Sequence, residues 1–308
     1  MTDLTAPRFT DPDAAREHLE AIRWPDGPVC PHCGSFDHRR MEGSAHRRGL
    51  IHCRDCRGQY SVTVGTVFER SKVPLNKWVM ATHLLCSSKK GISSHQLSRM
   101  LGVQYKTAWF MAHRIREAMV PTIAGPMGGG GTMVEADETF FGRVPGNSRK
   151  ATENMNKIVS LIDHATGRAT SIVFEGSFSA ASIGPILAMN MSPNAILMTD
   201  GAHHYKRIGK EYAGHEYVDH AKDEYVRRGA SHIHTNTIEG FFGIFKRGMK
   251  GIYQHCGSQH LQRYLAEFDF RYSNRVACGV NDDDRTDIAL RGIEGKRLTY
   301  RRIGGLAA

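Results

Sequence analysis

A chain of 308 residues is too long for one small module and short for three full domains, which points to two or three compact units, and 40% apolar residues are enough for ordinary cores. The net charge of +10 and the pI near 9.3 favour a polyanionic partner, because lysines and arginines that neutralise phosphates release counterions. No apolar run reaches the roughly 18 residues of a membrane span, and the polar opening Met1-Thr2-Asp3-Leu4 lacks a signal-peptide pattern, so a soluble intracellular protein with no membrane role is expected.

Residues 1–28 carry one helix start: Thr10 or Asp11 supplies a capping side chain, Pro12 follows, a helix is predicted over 14–22, and Trp24-Pro25-Asp26-Gly27 stops it. Residues 29–70 hold Cys30-Pro31-His32-Cys33 and, 19 residues on, Cys53-Arg54-Asp55-Cys56, with β-like residues at 50–52 and 60–64. Each pair presents two sulfurs from a tight turn, and in a reducing compartment this spacing predicts a zinc ribbon with one structural Zn²⁺ on Cys30, Cys33, Cys53 and Cys56. Four sulfurs close such a site, so His32, His38, His46 and His52 are expected at the surface or against phosphate, and Cys86, Cys256 and Cys278 as buried thiols.

Residues 71–122 turn helical in three pieces, 75–86, 93–101 and 105–119, the last two joined through Gly102-Val103. Ala108, Met111, Ala112, Ile115 and Met119 form an apolar stripe, leaving Lys106, Thr107, His113, Arg114 and Arg116 nearer the outside. A short helix, a glycine turn and a basic second helix resemble a helix-turn-helix, with Lys106, Thr107 and Arg114 as candidate DNA contacts. From spacing alone a plain three-helix bundle with a solvated basic face fits equally well; the ribbon and the charge favour DNA.

A Gly-rich linker at 123–132 opens a third region, 133–280. Met133 to Phe141 reads as a strand holding Glu135, Asp137 and Glu138; alternation puts Glu135 on the face of Asp137 and turns Glu138 away. Strands at 157–163 and 168–174 around the turn 164–167, a helix at 179–189, a strand at 195–198 ending at Asp200, and a short strand at 216–218 complete an α/β mixed sheet flanked by helices. This is the ribonuclease H arrangement. A helix over 236–250 buries Ile238, Phe241, Phe242, Phe245 and Met249 and aligns Glu239 with Lys246 on another face. Three carboxylates from separate elements at one end of a sheet suit a two-metal phosphodiester enzyme. Asn236 with Glu239 also reads as a capping box, in which losing Asn236 costs about 1 kcal/mol. A further helix is predicted over 261–275, and 281–308 as a basic tail, its arginines at 297–302 solvated or facing DNA.

Several blocks carry a family resemblance: Trp24-Pro25-Asp26-Gly27 into the first cysteine pair, Gly65-Thr66-Val67-Phe68-Glu69, Asp137-Glu138-Thr139, Thr199-Asp200-Gly201, Asn236-Thr237-Ile238-Glu239-Gly240-Phe241 and Arg297-Leu298-Thr299-Tyr300-Arg301. Together they resemble the DDE transposases of bacterial insertion sequences, specifically the insertion sequence 1595 (ISXO-like) group with an N-terminal zinc ribbon. The resemblance implies Asp137 and Asp200 as the first two catalytic acids, Glu239 as the third with Asn236 as the alternative, and Lys246 as the basic residue seven positions on. It further implies two Mg²⁺ (or Mn²⁺) ions, Asp137 bridging them and Asp200 and Glu239 holding one each, for cleavage and strand transfer. The partners implied are double-stranded DNA, as terminal inverted repeats and target, and a second copy of the chain in a homodimer or larger assembly on DNA, in the nucleoid of the bacterial cytoplasm. A DNA-binding regulator and a ribonuclease H-like nuclease without transposition are the alternative readings.

Overall fold

The computed structural model describes residues 2–122, 125–144, 151–222, 224, 226–227, 229–230 and 233–299. The chain divides into two units: Met1–Ser88, Ile92–Pro121 and Asn281–Ala308 form one, and Lys89–Gly91 with Thr122–Val280 the other.

The first unit starts with α1 (Pro7–Thr10) and α2 (Pro12–Arg23). The Asp11 side chain accepts the Asp13 N–H and Pro12 occupies the first turn, where its missing donor costs nothing. A small antiparallel sheet follows, β1 (His38–Arg40), β2 (Ile51–Cys53) and β3 (Gln59–Tyr60), in that spatial order. Next come α3 (Leu75–Ser87), α4 (Ser94–Leu101) and α5 (Tyr105–Met119), which bury Trp78, Val79, Leu85, Leu97, Met111 and Ile115. Gly102 turns α4 into α5 with φ +59°, a conformation only glycine adopts without strain, and its N–H closes on the Ser98 carbonyl.

One expectation fails on α5. His113, Arg114 and Arg116 are buried, at 1%, 9% and 1% exposure, instead of lying outside. The Arg114 guanidinium donates to the Glu69 carbonyl at 2.8 Å and lies 5.1 Å from the Phe110 ring and 5.8 Å from the Trp78 ring; burial pushes its pKa down. The cause is that α5 packs against both α3 and α4, so its buried arc is wider than one apolar stripe, and a planar cation between aromatic faces fills the remainder.

The second unit is a five-stranded mixed sheet in the order β6-β5-β4-β7-β8, consistent with a ribonuclease H-like domain. Its strands are β4 (Met133–Phe141), β5 (Asn156–Asp163), β6 (Ala169–Phe174), β7 (Ile196–Thr199) and β8 (Gly214–Tyr217), with α6 (Ala180–Asn190) and α7 (His203–Ile208) between the later ones and α8 (Asn236–Gly248) and α9 (Ser258–Ser273) after them. β4 to β6 pair antiparallel, while β7 and β8 run parallel to β4. β5 is buried on both faces: Val159 and Leu161 join Val134 and Ala136 under α6 and α7, and Ile158 and Ile162 meet Ile238, Phe241, Phe245 and Leu265 of α8 and α9. Fully burying side chains of this size stabilises by about 1.5–3 kcal/mol each. The free edge of β6 is not left open to water. Asp269 accepts the Ser171 N–H, Gln262 accepts the Val173 N–H and Ser273 accepts the Ala169 N–H, all from one face of α9.

The last helix, α10 (Asp282–Arg291), belongs to the first unit. Asn281 caps it through the Asp283 and Asp284 N–H groups, and Ala289, Leu290 and Ile293 are buried. Arg285 donates to the Cys86 carbonyl on α3, and the strand-like residues after α10 pair with Val67 and Gly65. The expected basic tail is therefore corrected for 281–299, where an acidic cap and apolar residues build a helix; Arg297 is exposed, and 300–308 lie outside the described residues. Cys86 is buried as expected, whereas Cys256 and Cys278 are only half-buried.

Candidate active site

In the first unit the four cysteines converge. Cys30 Sγ lies 3.7 Å from Cys56 Sγ and Cys33 Sγ 3.6 Å from Cys53 Sγ, and all four sulfurs fall within 4.8 Å of one another. A tetrahedral zinc with Zn–S bonds near 2.3 Å sets sulfurs about 3.8 Å apart, so the spacing fits. The loops also supply donors for charged sulfur: the N–H groups of Cys56 and Asp55 bond Cys53, that of Ser35 bonds Cys33 and that of Gly58 bonds Cys56.

In the second unit the sheet register brings Asp137 and Asp200 level. Glu135 pairs with Met198 across the parallel β4–β7 ladder, and two residues further along each chain stand Asp137 and Asp200. β7 ends at Thr199, whereas β4 runs on to Phe141 against β5, which leaves a notch in the sheet beside Asp137. Asp200 accepts the Ala202 N–H at 3.0 Å, an arrangement that holds its carboxylate at the strand end. Burial above all, then the Glu138, Asp200 and Glu239 carboxylates, push the Asp137 carboxyl up to about 8, against one hydrogen bond from the Glu138 N–H. A half-buried carboxyl that feels three other carboxylates needs positive charge before it ionises at neutral pH.

The third carboxylate enters on α8. Glu239 is exposed and its Oε1 receives the Thr235 hydroxyl at 3.0 Å and stands 3.1 Å from His220 Nε2. Asn236 is exposed at the first helical position and does not cap: Thr235 occupies the cap position, and the side chain that accepts a first-turn N–H is Glu135, whose Oε2 takes the Ile238 N–H at 2.7 Å. The predicted capping box is thus replaced by a carboxylate from another strand, which sequence periodicity within the helix does not reveal. Lys246, half-buried, lies two turns beyond Glu239, with its ammonium 5.9 Å from the Phe242 ring centroid.

Three neighbours were not read from the sequence. Glu138 faces away from Asp137 and is held by the Tyr205 hydroxyl at 2.6 Å, with His204 Nε2 3.2 Å from its other oxygen, both from α7, a helix of six residues too short for a periodic signal. His220 opens a single 3₁₀ turn (His220–Lys222), where only its closeness to Glu239 in space gives it meaning. In the first unit Lys106 is exposed and Thr107 partly so at the start of α5, while Arg114 is inside.

Comparison with known proteins agrees with both halves. Residues 10–59 match the transposase zinc-ribbon domain, and residues 128–273 match the ISXO2-like transposase domain. The chain is also 28% identical over 283 residues, 85% of its own length and 91% of the other's, to an "uncharacterized protein in transposable element ISH50" of Halobacterium salinarum. The two matches fall in sequence order on the two folded regions just described, so the chain carries the zinc-ribbon and ISXO2-like domains of insertion sequence 1595 transposases.

Proposed function

We propose that this transposase binds the terminal inverted repeats of its insertion sequence and catalyses Mg²⁺-dependent cleavage and strand transfer, with Asp137, Asp200, Glu239 and Lys246 as its catalytic residues. The observation that carries the reading is the level placement of Asp137 and Asp200 on parallel strands, with Glu239 close enough to raise the Asp137 pKa.

Asp137, Asp200 and Glu239 would hold two divalent cations. When bound, these supply Lewis-acid activation of the attacking hydroxyl and charge stabilisation at the leaving oxygen. The protein's own residues set the stage. Asp137 must lose its proton to act, and its high pKa means that it does so together with cation binding. Thr235 and His220 orient the Glu239 carboxylate, and Tyr205 with His204 keep Glu138 turned to the other side of the sheet. Lys246, in line with Glu239 on α8, serves a phosphate of the same strand. No covalent enzyme intermediate is needed.

The ribbon and α4–α5 would bind DNA as a helix-turn-helix, with Lys106 and Thr107 at the N-terminal end of the recognition helix. The exposed His95, Gln96, Arg99 and Tyr105 beside them support this reading. The test is incubation of the full chain with Mg²⁺, pre-cut end DNA and a circular target. Joined products establish strand transfer; cut ends without joining indicate a nuclease of the same fold, and binding without cutting a regulator.

A further inference from the structure

Two residues before Asp137 on the same face of β4, Glu135 is wholly buried and meets two imidazoles. His164 Nε2 lies 2.6 Å and His234 Nδ1 3.2 Å from Glu135 Oε1, and the three donor atoms fall within 4.8 Å of one another. His234 Nδ1 is buried and makes no hydrogen bond, although it stands beside this carboxylate oxygen. The two rings lie 5.6 Å apart between centroids, close to the roughly 5 Å of two imidazoles that share one tetrahedral cation at N–metal distances near 2.1 Å.

We infer that Glu135, His164 and His234 form a site for a transition-metal cation of the zinc class, distinct from the carboxylates of Asp137, Asp200 and Glu239. Two of the three donors are fixed by backbone around them. His164 sits in the β5–β6 turn, where its N–H bonds the Met133 carbonyl and Asp163 Oδ1 accepts the Ala165 and Thr166 N–H groups. The second oxygen of Glu135 is fixed by the Ile238 N–H, which orients the first toward the imidazoles. Side-chain exposures of 21% and 23% at the two histidines leave room for a water or other fourth ligand.

Donor hardness separates this site from its neighbour. Two imidazoles and one carboxylate suit Zn²⁺, Co²⁺, Fe²⁺ or Ni²⁺ and are poor for Mg²⁺, whereas the all-carboxylate cluster two residues away suits Mg²⁺ or Mn²⁺. The ion would staple β4, the β5–β6 turn and the segment that leads into α8, and so fix the helix that bears Glu239. This inference stands on the Glu135 cluster alone and does not depend on the proposed chemistry.

Co²⁺ titration of the metal-depleted full chain in excess Mg²⁺ tests it. The expected result is a first equivalent with intense thiolate-to-cobalt charge-transfer absorption from the four cysteines, then a second with only weak d–d bands. His164→Ala and His234→Ala should each lose the second equivalent and keep the first, with a far-UV circular dichroism spectrum and metal-free urea midpoint of the second unit close to the wild type to show that it is folded, while Asp137→Asn should keep both. A wild-type chain that takes only the thiolate-bound equivalent overturns the inference, and no variant is needed to see it. So does a second equivalent that survives in both histidine variants, or one that Asp137→Asn abolishes, since that ion sits at the carboxylates.

Discussion

Glu135 Oε2 accepts the Ile238 N–H at 2.7 Å, and through this bond the strand that carries Asp137 holds the first turn of the helix that carries Glu239. The bond spans 103 residues of sequence. It places a buried carboxylate at the positive end of α8, where the helix dipole and an otherwise unpaired N–H both favour it.

Glu135→Ala should therefore destabilise the second unit by about 2–3 kcal/mol, because it strands a buried N–H and removes the partner of two histidines. Glu135→Gln keeps an acceptor for Ile238 and should cost about 1 kcal/mol, mainly the lost charge at the helix end. Urea denaturation of the chelator-treated protein checks both. Equal costs for the two variants would show that the charge and the acceptor are not separable in this way.

Asp137 should make the metal-free protein lose stability as pH rises. Its folded pKa of about 8 lies above the ordinary carboxylate value of 3.8, so between these limits unfolding releases a proton; the loss grows across that window and is complete above it. Asp137→Asn should raise stability at pH 8 by something on the order of 2 kcal/mol and change little near pH 4. Added Mg²⁺ should raise the Tm of the wild type at pH 8 but not that of Asp137→Asn. A wild type and variant with parallel pH profiles would contradict the assignment.

The two basic residues of α5 should behave oppositely. Lys106→Ala should leave the Tm within a degree or so and reduce the slope of log K against log salt for duplex binding by about 1, as for one lost phosphate contact. Arg114→Ala should instead destabilise by about 2 kcal/mol or more, since it removes a buried cation from the Glu69 carbonyl and two aromatic rings. An Arg114→Ala protein of unchanged Tm with weakened DNA binding would return this residue to the interface.

Cys53→Ser should lose its equivalent of zinc and melt the ribbon, because a hydroxyl cannot replace a thiolate on a four-sulfur ion. Cys256→Ser should keep zinc in full. Metal analysis after gel filtration decides between these outcomes.

The sheet and its acids were legible because their signals are local. A strand ending in Asp, a second strand ending in Asp and a helix with five apolar residues at helical spacing each stand in one short window, and the Gly-rich break marks where they begin. Cys30, Cys33, Cys53 and Cys56 were legible for the same reason, as two pairs of fixed spacing. What was not legible depends on residues far apart in the chain. Asn236 looks like a cap until Glu135 arrives from β4; Arg114 looks exposed until α3 and Glu69 close over it; and Asp282 to Arg291 looks like part of a tail until α3 offers Cys86 and His83 as partners. Local pattern describes one face of a helix, and tertiary packing decides how many faces are buried.

The third acid separates two readings that sequence left side by side. Asn236 is exposed, occupies the first helical position and has no cap to lose, so Asn236→Ala should alter stability by no more than about 0.5 kcal/mol, less than a capping role predicts. Glu239 has a carboxylate oriented by Thr235 and His220, and it contributes to the electrostatic pressure on Asp137. Only an ionised side chain there adds charge against a second Mg²⁺; the neutral carbonyl of Asn or Gln binds it more weakly. Glu239→Gln should therefore abolish cleavage and strand transfer while end binding and Tm persist, and it should lower the apparent pKa of Asp137 by removing one of the charges that raise it. Asn236→Ala should retain measurable activity. If Glu239→Gln stays active and a fully folded Asn236→Ala is dead, Asn236 is the third ligand and the alignment of Glu239 with Lys246 has another cause.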